Sequence, residues 1–193
     1  MNREELRFIN NLSILLECGR PLLSCFRNLQ AATDDEACKA AYTAMIAATE
    51  SGNDFTTVLG DYPQLCSRST LALLQAGRRS SCLGVLLPKL AHLVRSTVEG
   101  HWEPRRRFFE TWALMVEAGI PLEEGLGELN HDFRRGPLRE VAEGLRATVA
   151  AGGSLSDGAK KFPEFFDAVS IDLLEYGHAR DLARALRAIT RLI

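Results

Sequence analysis

Zinc, nucleophiles and phosphates each require a particular grouping of side chains, and the chemistry-bearing residues of this chain do not form one. The four histidines, His92, His101, His131 and His178, are scattered. No HExxH occurs, and no Cys/His pair has the spacing that presents two ligands to zinc. The five cysteines, Cys18, Cys25, Cys38, Cys66 and Cys82, are odd in number, include no CxxC and all fall in the first half. They read as reduced core or surface thiols rather than disulfides or metal ligands. No GxSxG elbow is present, and no Ser, His and Asp arrangement suggests a nucleophile. The run AGGSLSDGAKKFPEFF at 151–166 has the glycines of a phosphate loop, but no strand precedes it and the GK[ST] element is absent. Asp34-Asp35-Glu36 could meet a cation, yet it sits where a helix N-terminus favours negative charge. The sequence therefore nominates no catalytic residue, no cofactor site and no metal site, and it reads as a non-enzyme.

Charge leaves two smaller candidates. Arg105, Arg106 and Arg107, with Arg134-Arg135, are the basic concentration in a chain of 23 Lys+Arg and 25 Asp+Glu, net −2. No stacking aromatics are interleaved, so a nucleic-acid site is not indicated. A solvated face or a contact for an acidic partner fits better. Glu17 and Glu117 each occupy the last turn of an apparent helix, the wrong end of its dipole for a carboxylate. Each should either reach the free N–H groups that start the next helix or serve a partner.

The elements that position these residues follow from composition. Over 193 residues, 46% are hydrophobic and 25% charged, as in a folded globular chain. Ala, Leu, Arg and Glu abound while Val and aromatics are sparse, which favours helix over sheet. The fold class is all-α. No stretch approaches the ~18 apolar residues of a spanning helix, and MNREELRF lacks the apolar run and cleavage site of a signal peptide. A cytoplasmic address is expected.

Sliding the chain by 100 positions pairs Arg7-Phe8 with Arg107-Phe108, Glu17 with Glu117, Gly19 with Gly119 and Pro21-Leu22 with Pro121-Leu122. Leu29 then meets Leu129, Gly52 meets Gly152, Pro63 meets Pro163, and Leu73-Leu74 and Gly77 meet Leu173-Leu174 and Gly177. Beyond Gly77 the second copy drops one residue, so Leu83, Leu87 and Leu90 match Leu182, Leu186 and Ile189. The chain is two copies of one unit, residues 1–98 and 104–193, joined by a polar junction within RSTVEGHWEPRRRF.

Each unit reads as six helices. In the first copy, Leu6, Ile9, Leu12, Leu15 and Leu16 mark one amphipathic stripe, and Leu22, Leu23, Phe26 and Leu29 a second. A third helix spans about Asp34 to Glu50, and a short fourth follows Asn53 or Asp54. The fifth covers about Ser67 to Ala76 and the sixth about Cys82 to Ser96. Gly19 and Gly119 fall just past a helix, where a left-handed residue closes the C-terminus. Pro21 and Pro121 suit the first turn of the helix that follows. Gly52 and Gly152 end the third helix of each copy, and Gly77 and Gly177 mark the corner after the fifth. Ser154 or Ser156 caps the fourth helix of copy two.

RFINNLSILLECGRPLLSCFRNL, ESGNDFTTVLGDYPQLC and LALLQAGRRSSCLGVLLPKLA resemble the type II secretion system F domain. So do FFETWALMVEAGIPLEEGL, AGGSLSDGAKKFPEFF and LLEYGHARDLARAL in the second copy. The resemblance covers nearly the whole chain. It implies tandem six-helix bundles of the cytoplasmic part of an inner-membrane platform protein, in type II secretion or type IV pilus assembly. It further implies a non-enzymatic scaffold or assembly factor whose partners are the assembly ATPase and other platform components. Family members carry membrane-spanning helices after each domain, and no run of this sequence is apolar enough to be one. Their usual Gly-Glu after helix five is Gly77-Arg78 and Gly177-His178 here, so that glutamate's role does not transfer. The alternative is a stand-alone regulatory or ligand-binding helical module derived from the F domain.

Domains of the family resemble self-pairing bundles, and a short tether raises the effective concentration of one copy for the other to the millimolar scale. The two repeats are therefore expected to pair as an intramolecular pseudo-dimer. Expressed separately, residues 1–96 and 104–193 should associate in sedimentation at high micromolar concentration. Halves that ignore each other, with independently tumbling domains in the intact chain, refute the pairing.

Overall fold

The computed structural model describes residues 2–193, except for the side chains of residues 178–180. Among the described residues there are helices and no strand. The chain divides into two units, Met1–His101 and Trp102–Ile193. The first unit holds α1 (Arg3–Glu17), α2 (Leu22–Ala31), α3 (Glu36–Glu50), α4 (Thr56–Leu59), α5 (Arg68–Arg79) and α6 (Leu83–Val98). The second holds α7 (Pro104–Glu117), α8 (Leu122–Asp132), α9 (Pro137–Ala150), α10 (Leu155–Ala159), α11 (Ala168–Arg180) and α12 (Leu182–Leu192). Each unit is a six-helix bundle.

Side-chain caps fix several of the starts. Asn2 accepts the Glu5 N–H, Asp35 the Cys38 N–H, and Ser154 the Asp157 N–H. The third helix thus begins at Glu36 with Asp35 as its cap, two residues later than the acidic run suggests. Between the short capped segments, consecutive helices pack on one another and the first helix returns against the last: α1 lies on α6, and α7 on α12. That closure encloses a core of Phe8, Leu12, Phe26, Met45 and Phe55 in the first unit, and of Phe108, Phe109, Trp112 and Phe166 in the second. Ring centroids stand 5.0 Å apart for Phe26–Phe55 and 5.6 Å for Phe109–Phe166, tying α2 to the start of α4 and α7 to the start of α11. Burying each such ring stabilises by about 1.5–3 kcal/mol.

Gly19 and Gly119 have φ of +72° and +75°. The Gly19 N–H donates to the Leu16 carbonyl and the Arg20 N–H to that of Leu15, the paired bonds of a Schellman closure. Gly119 and Ile120 do the same to Val116 and Met115. Pro21 and Pro121 stand one step earlier than their expected first-turn place. Each is the N-cap residue, with ψ near 140°, whose carbonyl accepts the first helical bond, from Cys25 and Gly125 respectively.

Gly77 and Gly177 are not corners. Both lie inside helices, α5 and α11, because the crossing with the sixth helix leaves no room for a side chain. A Cβ on Gly77 would meet Leu86 Cδ2 at 2.9 Å, and one on Gly177 would meet Ala185 Cβ at 2.3 Å. The corner after α5 falls instead at Ser81, a non-glycine residue with φ +55°. Cys82 N–H then closes back to the Gly77 carbonyl at 2.9 Å. The junction between units is likewise shorter than the polar run suggests. α6 runs to Val98, Gly100 closes it at φ +71°, and α7 begins at Pro104, so Arg105–Arg107 are helical.

These two uses of glycine separate in mutants. Gly19→Val should cost about 1–2 kcal/mol through backbone strain alone, since nothing lies within 4 Å of its Cβ position. Gly177→Ala, with a helical φ, should cost about 1–3 kcal/mol by forcing α11 and α12 apart. Urea unfolding checks both, and a Gly177→Ala chain as stable as wild type removes the close-crossing argument.

Candidate functional site

The cysteines are free thiols: Cys25, Cys38 and Cys66 buried, Cys82 half-buried and Cys18 exposed. Burial, aided by the neighbouring Asp35, pushes the Cys38 thiol up to about 11, far from a reactive thiolate. Among the described residues no group of His, Cys, Asp and Glu could hold a metal. His92 and His131 lie in different units, on α6 and α8, and His101 precedes α7. The side chain of His178 lies outside the described residues.

The two repeated glutamates find partners within their own units, but not the ones expected. Glu17 accepts the Ser13 hydroxyl at 2.7 Å on its own helix. Glu117 meets Arg187 of α12 at 2.9 Å. Neither is an amide at the start of the next helix. The Gly19 and Arg20 amides already close back on α1, while Pro21 has no N–H to give. A guanidinium from α12 also offsets the unfavourable dipole end at Glu117. Beside it Thr190 donates to Glu110 at 3.1 Å, so two contacts fasten α7 to α12.

The arginine triplet is not a bare basic face. Arg105 lies 6.0 Å from the Phe165 ring centroid, Arg106 5.3 Å from that of Trp102 and Arg107 4.5 Å from that of Phe133. Aromatics do accompany the arginines, brought from elsewhere in the second unit rather than interleaved in sequence. Arg105 and Arg107 are half-buried, so Arg106 offers the most accessible charge of the three.

A pair of residues that sequence reasoning did not single out gives this region its logic. Glu5 is 1% exposed, and its Oε1 accepts both the N–H and the hydroxyl of Ser67, at 2.8 and 2.7 Å. Ser67 is the N-cap residue of α5, and its own side chain makes no capping bond. The carboxylate that the α5 N-terminus favours is therefore supplied by α1. At the matching place in the second unit the carboxylate has moved to the other side. Position 105 is arginine, which donates to the Phe165 carbonyl, and position 167 is aspartate, which caps α11 by accepting the Ser170 N–H at 2.8 Å. Ser170, through its hydroxyl and then its N–H, holds the Asp167 carboxyl below the usual range, with a smaller contribution from Arg105. Both arrangements latch the first helix to the start of the fifth. The signal was present in the 100-residue register as a paired change, Glu5 to Arg105 with Ser67 to Asp167.

A double-mutant cycle tests the latch. Glu5→Ala should lower stability in urea by about 2–3 kcal/mol, because it strips a buried N–H and hydroxyl of their acceptor. Glu5→Arg should be worse still, and adding Ser67→Asp should recover a large part of that loss by recreating the second unit's pair. A double variant no more stable than Glu5→Arg alone would show that the two positions do not communicate.

The sequence profile described as type II secretion system (T2SS), protein F, matches residues 8–111 and again residues 108–193. Two pilus proteins are similar over shorter stretches. The type IV pilus assembly protein PilC of Pseudomonas aeruginosa is 27% identical over 70 residues, covering 36% of this chain and 19% of that protein. The type IV pilus assembly protein TapC of Aeromonas hydrophila is 32% identical over 63 residues, covering 33% of this chain and 15% of that protein. The matched stretches thus span less than a fifth of either relative. Two successive matches that together take in most of the sequence place it: the chain belongs to the type II secretion system protein F family.

Proposed function

We propose that this chain is a non-enzymatic scaffold or assembly factor of a type II secretion or type IV pilus-like system. It acts at the cytoplasmic side of the inner membrane, through contacts with the assembly ATPase or other inner-membrane platform components. The observation that carries this reading is the tandem family match over two bundles of the same architecture. Two relatives named for type IV pilus assembly support the same setting. The side-chain chemistry agrees with it: the charged residues singled out by sequence, Glu117 and Arg105–Arg107, serve helix-to-helix and cation-on-ring contacts rather than a reaction centre. No helix among the described residues is long and apolar enough to cross a membrane. Pairing of the two repeats as a pseudo-dimer belongs to the same proposal, as the simplest way for a tandem scaffold to present one composite surface.

Recovery of the tagged full-length chain from cross-linked cells of its native host tests the reading. The expected result is co-purification of a secretion or pilus assembly ATPase or platform protein, with loss of secretion or piliation when the gene is deleted. A chain that recovers none of these, in cells that secrete and make pili normally without it, acts instead as a stand-alone regulatory or ligand-binding module.

A further inference from the structure

The two units differ most on the outer face of their fifth helix. In the first, Ser69, Leu73 and Ala76 of α5 are 0%, 0% and 3% exposed. Their counterparts on α11 are Val169, Leu173 and Tyr176, of which Val169 is 55% and Tyr176 61% exposed. These three residues, at i, i+4 and i+7, share one face of the helix. An open groove of about 360 Å³ lies between the Leu173–Tyr176 part of that face and α12, lined by Leu173, Tyr176, Asp181, Arg184, Ala185 and Ala188, with Val169 one turn beyond it on α11. Its floor exists because Gly177 and Ala185 bring the two helices into close contact, leaving small residues where the first unit has Leu86.

Charge decides what suits this groove. Arg184, Ala188 and Arg191 form the α12 ridge, with the two arginines about 10 Å apart along the axis. Between them in sequence, Arg187 is taken by Glu117. Among the described residues neither Arg184 nor Arg191 has a carboxylate partner, and both are exposed. The one acid lining the groove, Asp181, is committed to the start of α12, where it accepts the Arg184 N–H at 3.0 Å. The surface is thus an apolar stripe two helical turns long, with a tyrosine wall and an uncompensated cationic edge.

We propose that the groove between α11 and α12 docks an amphipathic helix of a partner protein, one with apolar residues at i, i+3 or i+4, and i+7. Carboxylates along one flank of that helix would meet Arg184 and Arg191. The groove and the exposed Val169 beyond it together offer about two turns of apolar surface, matched by a helix whose side chains repeat at the spacing of Val169, Leu173 and Tyr176. Tyr176 supplies rigid amphipathic contact area. A basic helix would set like charges against the α12 ridge, and so would the same ridge of a second copy of this chain. The proposal rests on the second unit's geometry alone and goes beyond the assembly role: it stands whichever machine the chain serves.

The probe is a fluorescein-labelled helical peptide of about 18 residues, with leucines at that spacing and glutamates along one flank. Its control carries lysines in place of the glutamates. Binding to the full chain is read by fluorescence anisotropy, with the oligomeric state followed by sedimentation. The glutamate peptide should bind at micromolar concentration and the lysine peptide roughly tenfold or more weaker. Tyr176→Ala should weaken the glutamate peptide by a similar factor. Arg184→Glu with Arg191→Glu should reverse the preference between peptides; all these substitutions are on the surface, and circular dichroism confirms that the variants fold. The proposal is overturned by no binding, by equal binding of both peptides, or by a Tyr176→Ala variant that binds as wild type. It is also overturned if the wild-type chain self-associates through this face and Tyr176→Ala dissociates it.

Discussion

A fastening between the first helix and the start of the fifth recurs in both units. The first amides of a helix have no partner within it and need an acceptor from elsewhere. In the first unit the acceptor is the buried carboxylate of Glu5, reaching across from α1 to Ser67. In the second it is Asp167 on the same strand of chain, with Arg105 of α7 bridging to the carbonyl of Phe165. The rest follows from that fastening. The first helix is held against the fifth at one end and packs along the sixth for the rest of its length. The intervening three helices are then folded between them, with left-handed glycines closing the first and third helices. Loss of an apolar side chain leaves a void of its own size, whereas loss of this acceptor frees the end of a helix.

Most of this architecture was legible in the sequence because glycine and proline keep their positions when side chains drift. Gly19, Gly52, Gly119 and Gly152 all have left-handed φ, a backbone requirement that few other residues meet cheaply. Gly77 and Gly177 show the limit of that logic. A conserved-looking spacing says that a glycine is needed, but not whether the need is for a backbone angle or for empty space. Only the approach of Leu86 and of Ala185 separates the two. Ser81 is the converse case, a left-handed position with no glycine to announce it.

The candidate site was less legible, for a reason rooted in how side chains reach. Charge could be counted along the chain, but cation-on-ring contacts at Arg105 and Arg107 use Phe165 and Phe133, which are remote in sequence. A basic triplet therefore looked solvated when two of its members are half-buried. Glu17 and Glu117 looked equivalent because they share a motif, yet their partners are a hydroxyl on the same helix and a guanidinium on another. The matching residue at the Arg187 position of the first unit is Pro88, which cannot answer a carboxylate. Repetition preserves the backbone plan and leaves each copy to choose its own electrostatics.

The relocated carboxylate of the latch bears on how such a chain avoids tangling as it emerges from the ribosome. Tandem repeats of one plan invite cross-assembly, in which a helix from one copy fills the matching slot of the other. Were α1 to enter the slot of α7, Glu5 would face Asp167, two carboxylates at one helix start with Arg105 displaced. Were α7 to enter the slot of α1, Arg105 would be driven toward the N–H of Ser67, a cation against a donor. Each wrong insertion sets mismatched charge at the latch, while each correct one is complementary. Duplication produced two interchangeable parts, and a change of charge at two positions, Glu5 to Arg105 and Ser67 to Asp167, keys each first helix to its own bundle.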